Sequence, residues 1–266
     1  MSQRPVVERF YLNTAQGQLH LRQTGSASKP LLLLLHQAPS HSQMYEALMP
    51  QLAEHYYCVA PDLPGCGQSD PITAASIGEL AACLFGALQQ IGSVAAVLGH
   101  HTGAAVAAEL AAFWLTETKA IILSGPPLLS AEQRQQLQAM QQPRPASEDG
   151  QHLQALWQYL RGKDPSADVA LTERELCAAL RLGSGYPALY QAVAAHDFAG
   201  CLSSLRCPAL VMAGQNDSLY AAVAPTLALL SQGESADLGQ TGTYLFDTDS
   251  ERVAALIRSF LTKYGI

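Results

Sequence analysis

The chain has 266 residues, of which 48% are hydrophobic and 14% are charged, and its formal net charge is -7 at pH 7. This length and apolar content are enough to bury one large core, so a single α/β domain is expected. The acidic balance and the lack of any basic run in the sequence argue against nucleic acid as a partner.

Neither the apolar runs nor the cysteines indicate a membrane, secreted or metal-binding protein. Leu31–Leu35 is among the longest purely aliphatic runs and is far too short to span a bilayer. The segment Met1–Phe10 has charges and a proline where a signal peptide has an apolar core. The six cysteines are scattered, with no Cys-x-x-Cys pair, which argues against a disulfide framework or a zinc site. We therefore expect a cytoplasmic protein with reduced thiols and with neither a metal nor a membrane as partner.

Strand and helix patterns alternate along the first half of the chain. The predicted strands are Val6–Ala15, Gln18–Gln23, Leu31–Leu35, Tyr56–Ala60, an apolar run that stops at Gly99, and Ala120–Leu123. The predicted helices are Met44–Leu52, Ser76–Ile91 and Thr102–Leu115. Leu31–Leu35 is continuously apolar, which is typical of a strand buried on both faces of a parallel sheet. This rhythm predicts βαβ units with right-handed crossovers and a doubly wound sheet.

The composition changes at about residue 128. From there to about residue 200 the chain is rich in Gln, Ala and Leu, has a helical pattern and carries no strand signal. Strand patterns return at Ala209–Ala213 and, more weakly, at Ser235–Leu238, and helices are predicted at Val223–Leu230 and Glu251–Lys263. We therefore predict a core formed by residues 1–127 and 201–266 and a helical cap formed by residues 128–200.

The stretch Gly99-His100-His101-Thr102-Gly103 joins a predicted strand to a predicted helix. Two glycines that flank a central residue by two positions have the spacing of a strand-to-helix elbow, whose central side chain projects at the top of a sheet. Glycine suits both flanks because the turn is tight and its central residue is strained. The pattern predicts that His101 is the projecting residue.

Five short motifs follow one another along the chain. They are His36-Gln37-Ala38-Pro39, the loop Asp62–Pro71, the elbow Gly99–Gly103, the pair Cys207-Pro208, and Gly214-Gln215-Asn216-Asp217. Together they resemble the α/β-hydrolase superfamily, in its capped branch that acts on small molecules. The first, second and last motifs look like that family's His-Gly-x-Pro loop, its Asp-x-x-Gly-x-Gly-x-Ser loop and the loop of its triad acid. The resemblance covers nearly the whole chain.

The resemblance implies an α/β-hydrolase fold, a mostly parallel eight-stranded sheet with helices on both faces and a helical cap. It also implies an oxyanion hole made by the backbone N–H groups of Thr102, after the elbow, and of Ala38, in the loop after the third strand. Asp217 corresponds to the triad acid. This chemistry requires no cofactor.

Two departures from the family pattern remove the ordinary serine mechanism. The elbow of the family carries Ser, Asp or Cys, whereas this chain carries His101. The family's catalytic histidine comes shortly before the last helix, where this chain has Thr243, and no histidine follows His196. A Ser-His-Asp triad therefore cannot form, and we do not expect a serine hydrolase.

Three roles of His101 stay open. It is a candidate general base, because imidazole titrates near neutral pH and its ring is long enough to reach Asp217 through the space left at Thr243. A direct nucleophile is a rarer alternative, and a neutral ligand contact in an inactive site is the third. We favour the general base.

Several further polar residues are candidates for the lining of the same pocket. They are Ser40 and His41 after the oxyanion loop, His196 on the cap side, Thr243, and Tyr244 beside it. For His100, His36 and Asp62 we expect structural roles.

These residues predict a cofactor-independent enzyme for a small, largely apolar carbonyl compound. The reaction is either general-base hydrolysis or C–C cleavage or elimination through an enolate, and the second tolerates loss of the serine better. The alternative is a non-catalytic pseudo-hydrolase that binds a small ligand under the cap. Retention of Asp217 and both elbow glycines favours the enzyme, because an inactive site does not need them. The sequence leaves a homodimer open.

Overall fold

The computed structural model describes residues 5–71, 76–139, 145–183 and 185–266. Its centre is one eight-stranded sheet with the strand order β1-β2-β4-β3-β5-β6-β7-β8. In chain order, the strands are Glu8–Thr14, Gly17–Thr24, Leu31–Leu35, Tyr57–Pro61, Val94–His100, Ala120–Ser124, Ala209–Ala213 and Gly233–Asp237. Strand β2 pairs antiparallel with β1 and β4, and the other neighbouring pairs are parallel. The predicted fold class is confirmed.

The two faces of the sheet carry separate apolar cores. Leu31, Leu33 and Leu35 of β3 pack into one core, and Leu32 and Leu34 pack into the other. All five side chains are buried. Successive side chains of a strand point to opposite faces, so a strand covered on both faces needs an apolar residue at every position. The run of five leucines is therefore the doubly covered strand that the sequence predicts.

Helices cover both faces of the sheet and fill the segment between β6 and β7. In chain order, helices α1 to α11 are Met49–Leu52, Ile77–Leu88, Thr102–Glu109, Ala131–Gln138, Gln151–Lys163, Val169–Leu182, Gly185–Ala195, Phe198–Ser204, Val223–Leu229, Leu245–Thr248 and Ser250–Lys263. Helices α2, α3 and α8 pack into one core, and α1, α10 and α11 pack into the other.

The segment between β6 and β7 has a small apolar cluster of its own. Leu156, Leu160, Ala179 and Tyr186 form this cluster from α5, α6 and α7. No strand occurs in the described part of residues 128–200, and residues 140–144 and 184 lie outside the described residues. The described part of this segment is therefore mainly helical, and its limits as a separate cap stay a prediction.

Two predicted helices have a different form in the structure. The pattern over Met44–Leu52 becomes a 3-10 turn at Ser42–Tyr45 followed by α1. Pro50 lies in the first turn of α1, where it has no N–H to bond to the preceding turn, so one continuous helix cannot form. Helix α3 ends at Glu109 and continues as a π-helical turn over Leu110–Trp114. Hydrophobic periodicity does not distinguish these windings from an α-helix.

All six cysteines are free thiols. Burial raises the pKa of the Cys58 thiol to about 12 and also raises the pKa of Cys83, so both thiols stay protonated at neutral pH. Over the described ranges, no helix has the length and apolar character that a bilayer span requires.

Close backbone approach explains the two glycines around the end of β5. A Cβ atom at Gly99 would lie 2.1 Å from the carbonyl oxygen of Gly103, and one at Gly103 would lie 2.0 Å from that of Leu35. The contacted atoms are backbone atoms, which cannot move without shifting β3 or α3. Helix α3 therefore starts directly against the carboxyl end of β3.

We expect Gly103→Ala to lower the free energy of unfolding by about 1–3 kcal/mol or more, because the added methyl group overlaps the Leu35 carbonyl. The matched control is Gly86→Ala in α2, where a Cβ has no neighbouring heavy atom within 4 Å. That control should be neutral or stabilising by up to about 1 kcal/mol, since alanine is favoured over glycine inside a helix. Urea unfolding followed by circular dichroism measures both, and equal midpoints would contradict the close approach.

Candidate active site

The elbow holds His101 in a backbone conformation that side-chain-bearing residues rarely adopt. Its φ and ψ angles are 49° and -112°, and no other non-glycine residue in the described part of the chain has a positive φ. Such a conformation costs roughly 1–3 kcal/mol and persists only where the surrounding structure imposes it. Here β5 and α3 impose it, and the side chain lines a cavity.

The imidazole of His101 contacts the carboxylate of Asp217 directly. Its Nε2 lies 3.0 Å from Oδ1 and 2.9 Å from Oδ2. An ionised carboxylate only accepts hydrogen bonds, so Nε2 carries the proton and donates it. In the neutral ring Nδ1 is then the unprotonated nitrogen and is free to accept a proton. The predicted contact between these two side chains is present in the structure.

Asp217 is a buried carboxylate that stays ionised. Its side chain has no exposed surface, and the Leu219 amide donates to Oδ1 at 2.8 Å. Burial alone would raise the pKa of Asp217, but the electrostatic interaction and the hydrogen bond with His101 hold it well below its usual range. The carboxylate is therefore charged at neutral pH and orients the ring of His101.

His100 packs against the ring of His101. The two ring centroids are 4.2 Å apart, and His100 is fully buried. Its Nε2 donates to the Thr243 carbonyl at 3.1 Å, and its Nδ1 accepts from the Ser124 hydroxyl at 3.0 Å. Burial, helped by the neighbouring His101, lowers the pKa of His100 to about 3. His100 is thus neutral and ties the loop of Thr243 to the sheet, which agrees with the structural role expected for it.

Gly125 supports the ring of His101 and was not among the predicted site residues. A Cβ atom at Gly125 would lie 2.2 Å from Cδ2 and 2.4 Å from Nε2 of His101. Any side chain at this position would push the ring away from Asp217. The sequence feature that marks Gly125 is its place directly after a buried strand and before two prolines. Because turn glycines have many uses, that feature does not point to His101.

The two predicted oxyanion-hole amides, those of Ala38 and Thr102, border the same cavity as His101. Neither amide has an acceptor among the residues that the structure describes. Tyr190 of α7 donates its hydroxyl to the Ala38 carbonyl at 2.8 Å, which anchors the loop. Thr102 is the first residue of α3, and the N-terminus of that helix adds positive potential. Two free donors beside the elbow make this a candidate anion site.

A cavity of about 310 Å³ opens beside His101. Its lining is Ala38, His101, Thr102, Pro127, Leu129, Gln133, Gln136, Leu137, Tyr159, Lys163, Tyr190, Val193, Ser218, Leu219 and Thr243. This volume suits a small molecule. Tyr159, Lys163 and Tyr190 come from α5 and α7 and were not predicted, because helical periodicity does not reveal which face of an inserted helix covers a site.

Ser40 and His41, which the sequence predicts as pocket residues, are not in the lining of this cavity. The Ser40 hydroxyl is buried and donates to Glu175 at 3.0 Å. The His41 ring accepts from the Gln43 amide at the start of the 3-10 turn and borders a different, more polar cavity that includes Asp62. Burial lowers the pKa of His41 to about 4. The chain turns back toward the sheet after the oxyanion loop and carries both side chains with it.

His196 and Tyr244 were also predicted to line the pocket, and both lie elsewhere. Nε2 of His196 lies 3.5 Å from the Cys201 sulfur, in a separate cluster beside α3. Tyr244 is fully buried. Thr243 does line the cavity, as predicted, and its hydroxyl donates to the Gln37 side chain at 3.1 Å.

His36 and Asp62 have the structural roles expected for them. Asp62 accepts hydrogen bonds from the Ser42 amide at 2.7 Å and from the Gln68 amide at 2.8 Å. Nε2 of His36 accepts from the Leu63 amide at 2.8 Å. These bonds hold the glycine-rich loop against the oxyanion loop.

Two groups of described residues have donor atoms that lie within 4.8 Å of one another and suit a metal ion. They are His100, His101 and Asp217, and Glu109, His196 and Cys201. In the first group both ring nitrogens of His100 already have hydrogen-bond partners, and His101 donates directly to Asp217. The polar atoms that would bind an ion in this group therefore already take part in hydrogen bonds.

Comparison with known proteins agrees with this architecture. The sequence model of the alpha/beta hydrolase fold matches residues 30–224. The chain is 35% identical over 91 residues to the magnesium-chelatase 30 kDa subunit of Rhodobacter capsulatus, covering 33% of this chain and 32% of that protein. It is 39% identical over 64 residues to the uncharacterized hydrolase YNR064C of Saccharomyces cerevisiae, covering 23% and 22%.

The chain thus matches about a third or less of the length of these curated relatives. Among solved structures, Cfl2 from Burkholderia cenocepacia superposes with a TM-score of 0.81 over 98% of this chain and 97% of that chain. The sequence identity is 22%, so this likeness concerns the fold.

The lowered pKa of His100 predicts a loss of stability in mild acid. Unfolded His100 takes up a proton near pH 6.5, whereas the folded residue stays neutral down to about pH 3. Unfolding therefore becomes more favourable as the pH falls from 6.5, by up to roughly 1.4 kcal/mol per pH unit for this residue. His100→Gln should reduce that slope, and His55→Gln, which changes an exposed ring, should not. Urea unfolding at several pH values between 7 and 5 measures the slopes, and equal slopes in both variants would refute the prediction.

Proposed function

The chain belongs to the α/β-hydrolase fold family, and we propose that it is a cofactor-independent hydrolase or lyase for a small carbonyl compound, working without a Ser-His-Asp triad. His101 is the general base, Asp217 orients it, and the amides of Ala38 and Thr102 stabilise the developing oxyanion. One observation carries the proposal. A strained elbow residue that lines a cavity donates a hydrogen bond to a buried, ionised carboxylate.

In the hydrolytic form, Nδ1 of His101 takes a proton from water while the water oxygen attacks the substrate carbonyl carbon. The amides of Ala38 and Thr102 hold the resulting oxyanion, and one such donor contributes roughly 3 kcal/mol in a dry site. The tetrahedral intermediate then collapses, and the leaving group takes the proton from the imidazolium. Asp217 holds the Nε2 proton throughout and stabilises the imidazolium by its charge.

In the lyase form, Nδ1 removes a proton from a substrate hydroxyl, and the adjacent C–C bond breaks. The electron pair of that bond passes to the carbonyl oxygen, so one fragment leaves as an enolate held by the same two amides. The imidazolium then returns the proton to the enolate carbon. Neither form passes through an acyl-enzyme, so neither needs the missing serine.

We further propose that residues 128–200 act as the cap of this site. Contributions of α4, α5 and α7 to the cavity wall support this, as does the hydrogen bond from Tyr190 to the Ala38 carbonyl. The free thiols support a reducing compartment such as the cytoplasm.

Asp217→Asn should lower kcat by two to four orders of magnitude and leave ligand binding nearly intact, because the amide can hold the wrong tautomer of His101; the same change in a serine triad costs about 10⁴-fold. Turnover is measured on the best substrate from a panel of small esters, lactones and β-keto acids. Binding is measured by calorimetry with the product.

Asp168→Asn is the matched control, because Asp168 caps α6 at the surface and asparagine caps equally well. It should behave like the wild type. If Asp217→Asn turns over as fast as the wild type, His101 is a binding residue and the general-base mechanism is wrong. A protein that binds panel members tightly and converts none of them would be the pseudo-hydrolase.

Fluorophosphonate probes, which report an activated serine, should not label the wild-type protein, because no serine stands at the elbow. His101→Ser alone should stay unlabelled, since Thr243 cannot take the hydroxyl proton. His101→Ser combined with Thr243→His restores all three triad residue types beside Asp217 and should gain both labelling and ester hydrolysis. Intact-protein mass spectrometry counts the label, and stoichiometric labelling of the wild type would overturn the proposed mechanism.

A further inference from the structure

Lys163 is the only Lys, Arg, Asp or Glu among the described residues that line the His101 cavity. It is the last residue of α5, and its ammonium lies 5.4 Å from the centroid of the Tyr159 ring. Within the described ranges it has no hydrogen-bond acceptor and no ion-pair partner. An ammonium group has three donors, and leaving them unpaired away from water is costly. The cavity therefore contains an ammonium group whose donors have no acceptor among the described residues.

One buried hydroxyl group near Lys163 also lacks a partner. Oη of Tyr244 forms no hydrogen bond with the described residues, and Tyr244 interacts electrostatically with Lys163. Tyr244 is not in the lining of the cavity, so the Lys163 ammonium is the unpaired donor that a ligand in the cavity meets. A carboxylate supplies about four acceptor positions on two oxygens and carries the opposite charge.

The carboxylates of this region are already engaged with other groups. Glu175 accepts from the Ser40 hydroxyl at 3.0 Å and from Nε of Arg174 at 2.9 Å. The same guanidinium binds both oxygens of Asp247, at 2.6 and 3.0 Å. Burial lowers the pKa of Lys163, but the tyrosines and Glu175 around it outweigh burial and raise the pKa above its ordinary value. Lys163 therefore stays an ammonium and is not a free amine nucleophile.

The end of α5 is held against the loop that carries Thr243. A Cβ atom at Gly242 would lie 2.3 Å from Oδ2 of Asp164, so the Asp164 carboxylate packs directly on that glycine. Asp164 also accepts from the amide and the hydroxyl of Ser166, which fixes its side chain. Lys163 and Thr243 thus line one cavity from adjoining segments. This packing fixes the backbone from which the Lys163 side chain enters the cavity.

We propose that Lys163 binds a carboxylate of the substrate while the reacting carbonyl group lies at His101. The inference rests on the proposed function and narrows its substrate class to carbonyl compounds with a separate carboxylate, such as half-esters of dicarboxylic acids or oxo acids. An uncharged analogue of the same shape leaves the ammonium unpaired, and a site with an unpaired buried polar group rejects such a ligand. The carboxylate thus supplies orientation as well as affinity.

The test compares acids with their matching amides in a binding experiment that requires no turnover. Calorimetry measures the affinity of phenylacetate and phenylacetamide, and of hexanoate and hexanamide, for the wild type, Lys163→Met, Lys163→Arg and Lys119→Met. The wild type should bind each acid about 10- to 100-fold more tightly than its amide. Lys163→Met should lose that preference by weakening the acids alone. Lys163→Arg should keep a preference, and Lys119→Met, a change of an exposed lysine, should match the wild type.

Equal binding of acid and amide to the wild type, an unchanged preference in Lys163→Met, or binding of neither acid would overturn the carboxylate site.

Reductive ¹³C-methylation gives a direct readout, because the chain has only four lysines. The Lys163 signal, identified by its loss in Lys163→Met, should shift on addition of phenylacetate. Asp217→Asn should retain the acid preference. If it does so but its turnover also equals that of the wild type, the general-base mechanism fails while the carboxylate site stands.

Discussion

The close contact between the start of α3 and the end of β3 is the constraint on which the site depends. Since Gly99 and Gly103 have no Cβ, the chain turns from β5 into α3 within van der Waals reach of the Leu35 backbone. That turn gives His101 its positive φ and directs its ring to Asp217. It also leaves the Thr102 amide at the open start of a helix, where no intrahelical acceptor exists. The strain at His101, its position as the candidate base and the free Thr102 amide therefore have one structural origin.

The same sterics explain why the elbow was predictable from the sequence. A backbone contact that excludes every Cβ admits only glycine, so the spacing of Gly99 and Gly103 identifies the turn without knowledge of its surroundings. The run Leu31–Leu35 was equally informative, because only a strand covered on both faces requires five apolar residues in succession. Asp217 follows β7 at the same edge of the sheet as the elbow, so a contact between distant residues followed from strand order alone. These three features are set by the backbone and by strand order.

The features that were not predictable depend on the direction of single side chains. Ser40 and His196 have suitable chemistry near the right loops, yet Glu175 and Cys201 engage them away from the cavity. Gly125 supports the His101 ring by having no side chain, and an ordinary turn glycine looks the same in a sequence. Lys163 reaches the cavity from an inserted helix whose orientation follows from tertiary packing. One-dimensional spacing contains no information on such orientations, which are decided by contacts between segments far apart in the chain.

One ring combines two positions that a serine triad fills with separate side chains. His101 occupies the elbow and also reaches the carboxylate, while His100 bonds the Thr243 carbonyl and the Thr243 hydroxyl turns to Gln37. With Nε2 bonded to Asp217, the remaining ring nitrogen is Nδ1, and the Thr102 amide belongs to the next residue of the chain. In the proposed mechanism, the base and one of the two oxyanion donors, the Thr102 amide, therefore belong to consecutive residues. That arrangement suits activation of water or of a substrate hydroxyl, because both need a base and an oxyanion donor side by side and neither needs a side-chain nucleophile.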